Sequence, residues 1–278
     1  MKKILILGKR GQIGWELCRT MSPLGAITAV DKAELNLCDF DQIRSLIHAI
    51  KPNIILNAAA YTNVEMAEEE KELAETINGT APGILAQEAK ALNALFVHYS
   101  TDYVFDGVSQ KPYKEADPVH PLNVYGQSKL LGERAIIAQG GRYLILRTGW
   151  VYGRRGKNFL RTMLDSPKES LRVVNDQIGA PTWSRWIAEA TAQILAQNKE
   201  KWGLFHLTAS GETSWYDFAK AIFTIAQKTT LLYPIPSNEY RCKAHRPLWS
   251  VLSNEKIENA FDIFLPDWKE GLKQCLEE

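Results

Sequence analysis

The segment Tyr125-Gly126-Gln127-Ser128-Lys129 carries the most informative chemistry in the chain. A tyrosine and a lysine four residues apart share one face of a helix. A free phenol, with a pKa of about 10, is a poor acid–base group near neutrality. An ammonium beside it favours phenolate and lowers that pKa, which brings the phenol toward the range useful for general acid catalysis. The pair occurs often by chance and gains meaning from its surroundings. His98-Tyr99-Ser100-Thr101-Asp102-Tyr103 runs off an apolar stretch, placing the hydroxyls of Ser100 and Thr101 at a strand end, where they suit a substrate oxygen. Asn57-Ala58-Ala59-Ala60-Tyr61-Thr62 ends a second such stretch, and its small residues let the backbone pass close to a cofactor.

Gly8-Lys9-Arg10-Gly11-Gln12-Ile13-Gly14 follows the first apolar run and opens a helical pattern. The spacing is GxxGxxG rather than GxGxxG, but the strand-to-helix context is the one in which a glycine turn receives a pyrophosphate on free helix amides. Asp31 ends the next strand, about 20 residues past the loop, where a carboxylate accepts hydrogen bonds from an adenosine ribose. That favours NAD, since a 2′-phosphate would meet like charge. Lys32 and Arg10 offset the repulsion, so NAD and NADP both stay open.

The elements that must position these groups follow from periodicity. Lys3 to Leu7 is an unbroken apolar run, as in a strand covered on both faces. Gln12 to Met21 is helical, 26–30 a strand, 41–50 a helix, 53–57 a strand, 65–90 a long helix with a break near Gly79-Thr80, 95–100 a strand, 125–138 a helix and 143–147 a strand. Alternation of this kind implies right-handed crossovers and a doubly wound parallel α/β sheet. After Trp150 the alternation weakens and Pro, Trp and polar residues rise, which implies a smaller lobe over the carboxyl ends of the strands, with segments such as 187–196 returning to the sheet.

The chain has 278 residues and 45% hydrophobic content, enough for one large domain or two interlocked ones. A formal net charge of +1 and ordinary aromatic content exclude wholesale disorder and argue against a nucleic-acid binder. The amino-terminal apolar run stops at Gly8, too short for export or for a membrane span, so it reads as a first strand. Four cysteines without CxxC spacing imply neither zinc nor a disulfide framework, and point to a reducing cytoplasm. The five histidines show no HxH or HExxH spacing and read as structural.

The stretches GKRGQIGWEL, NAAAYTNVEMAE, STDYVFDG, YGQSK, LRTGWVYG, NDQIGAPT, RPLWSVLSNEKI and LPDWKEGL, taken together, resemble the extended short-chain dehydrogenase/reductases and, within them, the dTDP-4-dehydrorhamnose reductase family. The resemblance covers nearly the whole chain. It implies a Rossmann domain over 1–151, with return segments around 172–208, and an interleaved substrate lobe from 152–171 and 209–278. It implies NAD(P)H-dependent reduction of the 4-keto group of dTDP-4-dehydro-L-rhamnose. Carried over residue by residue, Tyr125 is the proton donor, Lys129 tunes it and binds the nicotinamide ribose, and Thr101 polarises the carbonyl. Gly8, Gly11, Gln12, Ile13, Asp31, Asp39, Ala58, Ala59 and Tyr61 fall along the cofactor, with Asp39 near the adenine. Trp150 faces the sugar, with Val64, Phe105 and Asn158 as further substrate contacts. Arg154, Arg155, Lys157, Arg161 and Arg246 are the cations available to a pyrophosphate. Glu16 matches an acidic position at which some relatives hold magnesium between subunits, but Trp183-Ser184-Arg185 replaces the acidic partner, which puts that metal in doubt and leaves monomer and homodimer open. The alternatives are another sugar-nucleotide reductase or epimerase, and a non-catalytic binding module resembling a regulatory subunit of methionine adenosyltransferase.

Overall fold

The computed structural model describes residues 1–197 and 199–278. The chain opens with β1 (Lys3–Leu7), α1 (Gln12–Thr20), β2 (Ala26–Val30), α2 (Phe40–Ile50) and β3 (Ile54–Asn57). There follow α3 (Val64–Ala67), α4 (Lys71–Glu75), a π-helical turn (Thr76–Thr80), α5 (Ala81–Ala91), β4 (Leu95–Thr101), α6 (Val124–Gln139) and β5 (Tyr143–Thr148). The second half holds β6 (Val151–Tyr152), α7 (Phe159–Leu164), β7 (Ser170–Val174), β8 (Ile178–Gly179), β9 (Thr182–Trp183), α8 (Ser184–Ala196) and β10 (Gly203–His206). It ends with β11 (Thr213–Ser214), α9 (Trp215–Ile225), β12 (Leu231–Ile235), α10 (Glu255–Phe261) and α11 (Trp268–Glu277).

Six strands form one parallel sheet in the order β10-β5-β4-β3-β1-β2. One face is covered by α1, α8 and α10 through Leu17, Met21, Ile187, Ile194, Ile257 and Phe261. The other face is covered by α2, α5 and α6 through Ile43, Ile47, Leu85, Ala89 and Ile136. The α/β doubly wound sheet is therefore as the periodicity implies. The chain winds in opposite senses from β1 to β2 and from β1 to β3, and the crevice between their carboxyl ends is where such sheets take ligands. A second core, with Tyr152, Trp183, Trp186, Phe218, Trp268 and Leu272, sits among α7, α9 and α11. This second cluster draws on separate stretches of chain, and α10 returns to the main sheet, where its Phe261 packs on Phe205.

The helix expected over 65–90 is instead four pieces. Asn78, in the π turn, points inward and brackets Tyr61: it accepts the Tyr61 N–H at 2.8 Å and donates to the Tyr61 carbonyl at 2.9 Å. It also donates to Ser128 Oγ at 3.0 Å. Pro82, lacking an N–H, follows directly and suits a helix start. The π turn thus falls at the break expected near Gly79-Thr80, and a second, unexpected gap separates α3 from α4 at 68–70.

Beneath the sheet's carboxyl edge lies a buried ion pair. Glu133 of α6 accepts from Arg147 of β5 at 2.8 Å and 2.6 Å, and from Ser100 Oγ at 2.5 Å. The side chains are 2% and 4% exposed. Arg147→Met should therefore leave Glu133 buried and uncompensated, at a cost of about 3–5 kcal/mol. Urea unfolding midpoints of the two proteins check this, and a loss below about 1 kcal/mol would show that water reaches Glu133.

Candidate active site

The turn after β1 is built by close approach. The Gly8 and Lys9 amides both donate to Val30 O. Gly8 has φ +87°, and a Cβ there would lie 2.9 Å from Ala59 N. A Cβ at Gly14 would lie 2.0 Å from the Gly8 carbonyl oxygen, so α1 can begin this close to β1 only with glycine. Gly11 is the N-cap of α1 and brings no side-chain acceptor, so the first helix amides face the crevice without a side-chain cap. A cavity of about 450 Å³ opens beside this turn, lined by Gly8, Asp31, Leu35, Leu37, Ala59 and Tyr61 among others. Its size and mixed apolar and polar wall fit the adenosine half of a dinucleotide.

Within this wall, Asp31 accepts from Ala33 N at 2.9 Å and pairs with the exposed Arg10 at 2.7 Å. Ala58 closes the turn from β3, and Ile13 packs into the main core. Asp39 is not part of the wall: its carboxylate caps α2 by accepting Gln42 N at 2.9 Å. Leu35 and Leu37 line the cavity in its stead. They sit in an irregular stretch whose spacing announces no element, so nothing in the sequence marked them.

At the end of β4, strand alternation separates the two hydroxyls. Ser100 turns toward α6 and is held by Glu133, so it does not serve the crevice. Thr101 turns the other way. Its hydroxyl accepts Tyr103 N at 3.1 Å, donates to Asp102 Oδ1 at 3.1 Å and lies beside the Tyr125 phenol. Burial pushes the Tyr125 phenol up to about 12, with the Thr101 contact opposing and Asp102 reinforcing. Lys129 does not reverse this. Its amine donates to the Tyr99 carbonyl at 2.6 Å and lies 3.2 Å from His98 Nε2. Burial brings the Lys129 amine down to about 8. His98 in turn contacts Asn57 Nδ2 at 3.1 Å, and burial holds its imidazole well below the usual range. Asp102, His98 and Asn57 were not singled out from sequence, although all three lie inside the segments that were.

Trp150 has φ +49°, a strained backbone for a bulky residue. Its ring lies flat on Trp215 of α9, with centroids 3.4 Å apart and planes parallel, and against Gly179, where a Cβ would come within 2.4 Å. Both indoles remain partly exposed. Trp215 is the partner that sequence reading missed, because no local spacing links positions so far apart. Phe105 is fully buried, stacked on Tyr113 at 4.1 Å, and so is packing rather than a ligand contact. Val64 is partly buried at the start of α3. Asn158 caps α7 and reaches Gln12.

The cations have mostly found partners within the protein. Arg154 donates to the Cys275 and Leu276 carbonyls, Arg155 covers the Trp15 ring, Arg161 pairs with Asp165 and Arg246 with Glu65; Lys157 is exposed. Glu16 lies 3.4 Å from Arg185, which also pairs with Glu278. A dication would have to displace that guanidinium, and this donor set does not fit one.

Comparison with known proteins places this arrangement. The family profile described as RmlD substrate binding domain matches residues 1–278. The dTDP-4-dehydrorhamnose reductase of Burkholderia thailandensis is 44% identical over 99% of this chain and 98% of its own. The dTDP-4-dehydrorhamnose reductase of Escherichia coli K12 is also 44% identical, over 99% and 97%. The crystal structure of dTDP-4-dehydrorhamnose reductase from Bacillus anthracis in complex with NADP superposes with a TM-score of 0.95 at 33% identity, covering 99% of both chains.

One electrostatic consequence is measurable without a ligand. Burial raises the Asp102 carboxyl from 3.8 to about 6. The folded protein then keeps a proton that the unfolded chain has lost. That contribution is complete below about pH 4 and is lost as pH rises through about 6. Relative to Asp102→Asn, the unchanged protein should lose stability between about pH 4 and pH 7, read as a falling difference in urea midpoint. A constant difference would place the carboxyl in solvent.

Proposed function

Because the chain belongs to the dTDP-4-dehydrorhamnose reductase family, we propose that it reduces the 4-keto group of dTDP-4-dehydro-L-rhamnose to dTDP-L-rhamnose. The observation that supports the mechanism is the Thr101 hydroxyl at the end of β4, held between Asp102 and the Tyr103 amide and beside the Tyr125 phenol of α6. When bound, a reduced nicotinamide dinucleotide supplies the hydride. Gly8, Gly11, Gln12, Ile13, Ala58, Ala59 and Tyr61 form its seat, and Lys129 binds its ribose. Asp31 and Arg10 together suit either form of the adenosine ribose, the carboxylate a free diol and the guanidinium a 2′-phosphate.

As negative charge grows on the substrate oxygen, two preplaced hydroxyls meet it. Thr101 turns its one hydroxyl hydrogen from Asp102 to that oxygen, and Tyr125 gives up its proton. A phenol held at about 12 is fully protonated at neutral pH, which is the state a donor in the reductive direction requires. The Tyr103 amide, which donates to the Thr101 oxygen, holds the hydroxyl in place while its hydrogen turns. The apolar face of the sugar lies on the exposed part of the Trp150–Trp215 stack. Residues 152–171 and 209–278 supply the substrate side of the cleft, and 1–151 with 172–208 the cofactor side. The four free thiols support a reducing, cytoplasmic setting, and no helix among the described residues is long and apolar enough to cross a membrane.

The direct test is oxidation of NADPH and of NADH followed by nicotinamide absorbance, with and without dTDP-4-dehydro-L-rhamnose. Oxidation that requires the sugar nucleotide is expected; none by folded protein that binds NADPH would end this reading. Tyr125→Phe should lower kcat by about 10²–10⁴-fold and leave the NADPH Kd unchanged. Trp150→Ala should raise KM for the sugar nucleotide up to about tenfold with little change for NADPH. Equal losses on both ligands would make Trp150 a structural residue only.

A further inference from the structure

Asn158 joins the loop after β6 to the cofactor turn. Its Oδ1 accepts Arg161 N at 3.1 Å and caps α7. Its amide nitrogen lies 2.9 Å from Gln12 Oε1, 2.9 Å from Gly153 O, 3.0 Å from Arg155 O and 3.4 Å from Gly156 O. An amide nitrogen has two hydrogens, and these acceptors already more than occupy them. Asn158 is thus committed to holding protein rather than free to hold a sugar.

Gln12 is the first residue of α1, inside the glycine turn. Its own amide donates to Val151 O at 3.3 Å, one residue past Trp150. Two more contacts join the same pieces. The Arg155 guanidinium lies 3.9 Å from the centroid of the Trp15 ring, and a Cβ on Gly156 would sit 3.3 Å from Gln12 Cγ. Residues 151–158 and 12–15 are therefore tied at both ends and in the middle. One end of the tied unit adjoins Trp150, and the other forms the dinucleotide turn.

We infer that Asn158 is a positioning residue that couples the two ligands: acting through Gln12, it sets the cofactor turn in register with the Trp150 loop, so that each ligand binds more tightly when the other is present. The inference rests on the reductase reading, which supplies the two ligands. Linkage makes the coupling reciprocal.

The test is calorimetric titration of NADPH into the full chain, with and without saturating dTDP-L-rhamnose, a product with no keto group left to reduce. In the unchanged protein the NADPH Kd should fall at least about fivefold when the product is present. Asn158→Ser keeps a good N-cap, so α7 is retained, but the hydroxyl is too short to reach Gln12, and the ratio of the two Kd values should fall to about one. Gln12→Ala should do the same, and the double substitution should change the ratio no further. In steady state, Asn158→Ser should raise both KM values and hold kcat within about twofold at double saturation, a split that general destabilisation would not give. An unchanged ratio in Asn158→Ser overturns the inference. So does weaker product binding with an unaltered NADPH titration, which would make Asn158 a direct sugar-nucleotide contact. If the unchanged protein reduces the keto sugar yet shows no coupling, this inference fails alone. If it neither turns over nor binds dTDP-L-rhamnose, the reductase reading itself fails.

Discussion

The site depends on one constraint: α6 presses a polar face onto the sheet, and every charged group on that face must be satisfied out of water. Tyr125, Lys129 and Glu133 succeed one another at intervals of four and so share that face. Lys129 is 2% exposed and Glu133 1%, and a buried charge without a partner costs several kcal/mol. The sheet therefore supplies the partners. β5 gives Arg147, β4 gives Ser100, His98 and the Tyr99 carbonyl, and β3 gives Asn57 through His98. A shift of α6 by one residue would break this set at three strands together. The register of α6 on β4 is thereby fixed, and with it the distance from Tyr125 to Thr101.

The same constraint explains why two titrating groups depart from their usual values in opposite directions. Low dielectric penalises whichever form is charged. For the phenol that form is the deprotonated one, and its pKa rises to about 12; for the amine it is the protonated one, and its pKa falls to about 8. Sequence reasoning had the ammonium lowering the phenol, which requires the two to face each other. In the fold the amine faces the Tyr99 carbonyl. A protonated phenol is the form that the proposed reduction would draw on, because a donor must hold its proton until an alkoxide, a far stronger base than phenolate, develops beside it.

Much of this was legible in the sequence, for reasons that also mark the limit. The unbroken apolar runs of β1, β3 and β4 and the glycine turn are local signals, and they placed the sheet, its direction and the crevice. Where a side chain's partner is distant, the signal vanishes. Asn78, at the expected break in the 65–90 pattern, brackets Tyr61, a partner that no local spacing announces. Phe105, in a segment that reads as loop, is drawn into the cluster with Tyr113 and Leu252. The period of two along β4 is itself a local signal, and it sends Ser100 and Thr101 to opposite faces of the sheet.

The second half of the chain shows how a strained residue can be held by its neighbours alone. Trp150 sits with positive φ at the exit of β5, a conformation that costs of order 1–3 kcal/mol. It persists because three elements close on it. Gly179 of β8 leaves room for the ring, Trp215 of α9 covers its face, and the Thr182 amide of β9 donates to its carbonyl at 3.2 Å. Relaxing the backbone would carry the ring off both contacts. Its chain neighbours Val151 and Gly149 belong respectively to β6, tied to Gln12, and to the strand end beside Asp102. The indole is therefore one covalent step from the segment tied to Gln12 and one from the strand end beside Asp102, so the proposed sugar contact and the proposed proton donor share one constrained stretch of backbone.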